Sequence, residues 1–127
     1  MLPWSQFGLT GYGWSAIAND KTIAGRPDVL KRYLRALTKS LEFSMAQPRK
    51  AAESLVAMVP EANVDVIEAE FRASIPLLKT EASARDGLGA FQPKLLADTW
   101  GWVSASMGYD IKKVDPEALV DRRFLAR

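Results

Sequence analysis

The chain of 127 residues contains no cysteine and no histidine. Without cysteine no disulfide forms, and without either residue there is no Cys- or His-ligated metal site. A cysteine nucleophile and a Ser–His pair are excluded on the same ground. A zero cysteine count fits both a cytosolic and an exported bacterial protein. Charge of one sign is also scarce: 17 Lys and Arg stand against 15 Asp and Glu, a net charge of +2. That is too small an excess for a protein that tracks phosphates, so no nucleic-acid partner is expected. No apolar run approaches the ~20 residues of a membrane-spanning helix. Met1-Leu2-Pro3-Trp4-Ser5 is not a basic region leading into an apolar one, so no signal peptide is expected here.

What is present is the composition of a globular domain. Hydrophobic residues make up 48% and charged residues 25%, enough apolar surface to offset chain entropy. The length suits one domain, residues 1–127.

Four principal helices are legible. Pro27 and Asp28 suit a first turn, and Leu30, Tyr33, Leu34, Leu37, Leu41 and Met45 follow at helical spacing. Lys31, Arg35 and Lys39 form a row that reads as a solvated face. Gln47-Pro48 opens a second helix with Ala52, Leu55, Val56 and Val59 inward and Pro60 at its end. Asn63 caps a third, whose apolar face is Val64, Ile67, Phe71, Ile75 and Leu78. Pro76 predicts a kink or an early end near Ser74. Residues 80–92, with Gly87 and Gly89, read as a loop. Pro93 opens the fourth helix, carrying Leu96, Thr99, Trp100, Val103 and Met107, with Gly108 just past its end. Asp115-Pro116 starts a short last turn. Against these stands one strand-like run, Ser15-Ala16-Ile17-Ala18. The expected class is mainly α, with at most one or two short strands confined to the first 20 residues. No internal repeat is visible.

Reactive constellations are missing. Glu68 and Glu70 point to different sides of a helix, and Glu117 with Asp121 read as solvated charges. Gly8, Gly11 and Gly13 match neither phosphate-binding spacing. No enzymatic activity, cofactor or metal is expected. Trp100 reads as a core residue and Trp102 as a partly buried one. The segment from Trp4 to Trp14 is more suggestive, because Trp4, Phe7, Tyr12 and Trp14 alternate with Gly8, Gly11 and Gly13. Rings beside exposed backbone suit a planar or small polar ligand. From composition alone the pattern favours an apolar arm packed on the helices.

The run Asn19-Asp20-Lys21-Thr22-Ile23, then Arg26-Pro27-Asp28-Val29-Leu30-Lys31-Arg32-Tyr33-Leu34-Arg35-Ala36-Leu37, then Gln47-Pro48-Arg49-Lys50-Ala51-Ala52, resembles the C-terminal half of ABC-transporter solute-binding proteins. The most similar group is the thiamine-precursor, nitrate, sulfonate and taurine type. Gly8 to Ala18 resembles its glycine-containing loop and strand. Trp100 to Gly108 with Tyr109-Asp110-Ile111 resembles its last long helix and exit, and Asp121 to Leu125 its closing segment. The resemblance implies an α/β fold of two lobes joined by a hinge, of which residues 1–127 are the helix-rich C-terminal portion and the N-terminal half is absent. It implies capture of a small-molecule solute by lobe closure, delivery to an ABC permease, and a periplasmic location. By position, Trp4, Tyr12, Gly13 and Trp14 would be the ligand-binding residues. The alternative is a stand-alone helical protein-interaction domain without a transport role. The stripes Leu30–Leu41 and Leu96–Val103 are difficult to bury together in one chain of this length. A homo-oligomer, most simply a two-fold dimer, is therefore expected.

Overall fold

The computed structural model describes residues 4–125, with side chains from Ser5 onward. It is mainly α. The helices are α1 (Asp20–Gly25), α2 (Pro27–Ala46), α3 (Pro48–Val56), α4 (Val64–Leu78), α5 (Glu81–Asp86) and α6 (Pro93–Met107). Short 3-10 turns lie at Trp4–Phe7, Ile111–Lys113, Pro116–Leu119 and Arg122–Phe124.

The local chemistry explains the boundaries. α2, α3 and α6 open on proline, whose missing N–H costs nothing in a first turn. The Asn19 side chain accepts from the Thr22 amide at the start of α1. The Asn63 side chain accepts from Asp65 and Val66 at the start of α4. Gly108 ends α6 in the left-handed region at φ 68°, and the Tyr109 amide returns to the Ser104 carbonyl. A methyl group at Gly108 meets no atom within 4 Å, so strain is the whole cost of adding one. Gly108→Ala is expected to lose about 1–2 kcal/mol, read as a lower melting temperature in circular dichroism; an unchanged melt would show that the cap conformation relaxes.

Three expectations are corrected. Residues 80–92 are not wholly loop, because α5 forms there on a reciprocal cap: Thr80 Oγ1 accepts from the Ser83 amide while Ser83 Oγ accepts from the Thr80 amide. α4 neither stops nor breaks near Ser74 but runs through Pro76 to Leu78. Only two residues follow the proline, and the Lys79 amide closes the end on the Ile75 carbonyl. α3 ends at Val56, ahead of Pro60, where the Met58 and Val59 amides both turn back to the Leu55 carbonyl. Among the described residues no strand forms, and Ser15–Ala18 has no regular structure.

The helices sort into two groups. α1 to α4 form one, with its tightest packing where α3 lies against α4 and α2. Pro48, Ala51 and Ala52 are buried there, so α3 contributes nothing larger than a methyl group or a ring to the seam. Outside this seam, the Arg49 guanidinium on α3 binds Glu53 on its own helix and both Asp65 and Glu68 on α4. The second group is α6 with the turns Ile111–Lys113 and Pro116–Leu119. Trp100 donates its indole N–H to the Ile111 carbonyl at 2.9 Å and stacks on Tyr109, ring centres 6.5 Å apart. The last described turn, Arg122–Phe124, reaches back to α2. Arg122 itself donates to the Phe91 carbonyl and the Glu117 carboxylate.

Candidate functional site

Tyr12 is the anchor of the N-terminal arm. Its amide donates to Thr99 Oγ1 on α6 at 2.9 Å, and that hydroxyl donates onward to the Leu95 carbonyl at 2.7 Å. The phenol donates to the Ala90 carbonyl at 3.2 Å and accepts from the Gln92 amide at 2.7 Å. The ring meets Phe91 edge to face, with centres 4.9 Å apart. Gly11 allows this approach: a Cβ there would stand 2.8 Å from Thr99 Oγ1.

Beyond this anchor the arm is open. Gly13 has nothing within 4 Å of where a Cβ would be. Trp14 is 99% exposed and Ile17 is 93% exposed. The Trp4 side chain lies outside the described residues. Tyr12, Gly13 and Trp14 are thus neighbours in the chain but do not converge on a pocket: the first is held by α6 and its preceding loop, and the other two face outward. A shallow groove between the end of α2 and α5 is lined by Glu42, Met45, Lys79, Glu81 and Leu88, and contains none of them.

Sequence reasoning missed Phe91, Gln92 and Thr99 as partners of Tyr12. These contacts span about eighty positions, and no local spacing announces them. It also missed Asp86, which closes a polar cluster beside this loop. Arg85 and Gln92 both donate to the Asp86 carboxylate, and Arg85 donates to the Gln92 side-chain oxygen. Arg85 first, then Gln92, holds the Asp86 carboxyl below its ordinary value of 3.8. Its donors and acceptors satisfy each other, as expected of a structural cluster.

Two further carboxyls are depressed in the same way. The Arg72 hydrogen bonds, reinforced by Arg49, lower Glu68 from its ordinary 4.5, and Arg123 lowers Asp121 from 3.8. The sign of the pH effect follows. A carboxyl whose folded-state pKa is depressed stabilises the fold fully above its ordinary value, and that stability is lost as pH falls through the depressed one. Thermal melts at ~pH 6 and ~pH 3 should therefore show the lower midpoint in acid. Equal midpoints would mean that these ion pairs, exposed as their arginines are, leave stability unmoved.

Among the described residues, no three acidic side chains gather to hold a metal ion, and no helix is long and apolar enough to cross a membrane. No family model, no curated protein and no solved structure matches this chain.

Proposed function

We propose that this chain serves solute capture for an ABC importer, as the helix-rich part of a two-lobe binding protein in the periplasm, without catalysis. The observation that carries the reading is the arm. An indole that is 99% exposed at Trp14 follows directly on a backbone pinned at Tyr12. A ring held by a fixed neighbour but covered by nothing suits a binding wall that is completed from the other side. On closure the Trp14 face would stack on the solute. Opening then returns the solute to the permease.

The motif positions support the same reading. Arg26-Pro27-Asp28 starts α2, Pro48 starts α3, and Tyr109 follows the end of α6. The test is uptake by cells deleted for this chain. Labelled taurine, an alkanesulfonate, nitrate and the pyrimidine precursor of thiamine are supplied in turn. Import of one should be lost, restored by the wild-type sequence, and restored poorly by Trp14→Ala. Undiminished uptake of all four overturns the proposal.

A further inference from the structure

The arm carries a second property, independent of any solute. None of residues 13–18 takes part in a backbone hydrogen bond among the described residues. Trp14 and Ile17, of opposite parity along an extended chain, are both almost fully exposed. No charged residue occurs before Asp20. Natural proteins guard such open segments with lysine, proline or cover, and residues 13–18 have neither lysine nor proline.

Surface area sets how much cover is needed. The chain exposes 9894 Å². A compact monomer of 14.0 kDa exposes about 6,700 Å², so roughly 3,200 Å² remains in excess. A standard interface removes about 800 Å² per partner and obligate ones more, so this excess is the size of a permanent interface. Part of it adjoins the arm on α6. Trp102 and Val103 lie one turn beyond Thr99, where the arm is anchored, and are 47% and 41% exposed. Met107, one turn further, is 60% exposed.

We propose that this surface is closed by a second copy of the chain, in a two-fold dimer whose residues 13–18 pair antiparallel with those of the partner. Two-fold symmetry sets each segment against itself, so the donors that face the partner in one copy find their acceptors in the other. A bare two-stranded ribbon is marginal in water, but one backed by a helix is not. The Trp102–Val103–Met107 stripe supplies that backing from each copy. The lack of charge on the arm removes the repulsion that identical segments would otherwise feel.

Sedimentation equilibrium from ~0.1 to ~100 μM tests this, with hydrogen exchange on the same samples. A dimer of twice 14.0 kDa is expected, with slowed amides in residues 13–18. Ile17→Asp should weaken it at least about thirtyfold. Ser15→Pro should do the same while leaving helical circular dichroism intact, since the Ser15 amide has no partner among the described residues. A monomer throughout the range, a dimer with fast amides at 13–18, a dimer indifferent to both changes, or open-ended aggregation without a dimer plateau would each overturn the proposal.

Discussion

Ala52→Leu should destabilise the chain by about 1–3 kcal/mol. Ala52 is 0% exposed and Ala51 is 6% exposed. They sit with Pro48 in the seam that α3 makes with α4 and α2. A side chain that ends at Cβ sets the spacing of these helices, and a leucine needs room that the seam does not contain. The helices must part, and the ion pairs from Arg49 to Asp65 and Glu68 bridge the same gap. A molecule that leaves so much surface exposed has little stability in reserve, so the loss is expected to be plain in a thermal melt followed at 222 nm. Ala69→Leu is the control, on an exposed position of α4, and should change stability by no more than about 0.5 kcal/mol. If the two variants melt together, α3 and α4 are not in close backbone contact.

The helical plan was legible because its punctuation is local. Pro27, Pro48 and Pro93 each open a helix, Asn63 caps one, and Gly108 ends one. Each acts through its own backbone or its next two or three neighbours, so sequence alone carries the signal. The errors arose where two local signals compete. Gly87 and Gly89 suggest a loop from residue 80, but the Thr80–Ser83 cap nucleates a helix before either glycine is reached. Pro76 suggests a break, but so near a C-terminus the missing amide disturbs only the last turn. Apolar stripes also say which face of a helix wants cover, not whether cover exists. Leu37 and Val103 lie on legible stripes, yet the chain alone leaves them 37% and 41% exposed.

The arm was half legible. Alternating glycines and rings mark it as unusual, and composition favours packing over binding. The structure fixes it at one residue. Tyr12 packs on α6 and the preceding loop, whereas Phe7 before it is 70% exposed and residues 13–17 after it are exposed. No property of the sequence places that contact, because it depends on Thr99, Ala90 and Gln92, all far along the chain.

Tyr12→Phe and Tyr12→Ala should separate the two parts of that anchor. The phenylalanine keeps the edge-to-face contact with Phe91 but strands two half-buried groups, the Ala90 carbonyl and the Gln92 amide. Leaving such groups without partners costs about 1–3 kcal/mol. The alanine also removes the ring, and an aromatic pair adds about 0.5–1.5 kcal/mol beyond the area it buries. Tyr12→Ala should therefore release the arm from α6 with a loss of about 3 kcal/mol, near a hundredfold in the opening equilibrium. Exchange of the Gln92 amide is the sensitive readout, because its acceptor is the phenol oxygen at 2.7 Å. That amide should exchange faster in Tyr12→Phe and faster still in Tyr12→Ala, while amides within α3 and α4 keep their wild-type rates. Gly11→Ala approaches the same anchor from the other side, since its methyl group would press on Thr99 Oγ1 and displace the hydroxyl that receives the Tyr12 amide. An unchanged Gln92 rate in Tyr12→Phe would mean that the phenol does not hold the loop, and that the arm is fixed by the Thr99 contact and ring packing alone.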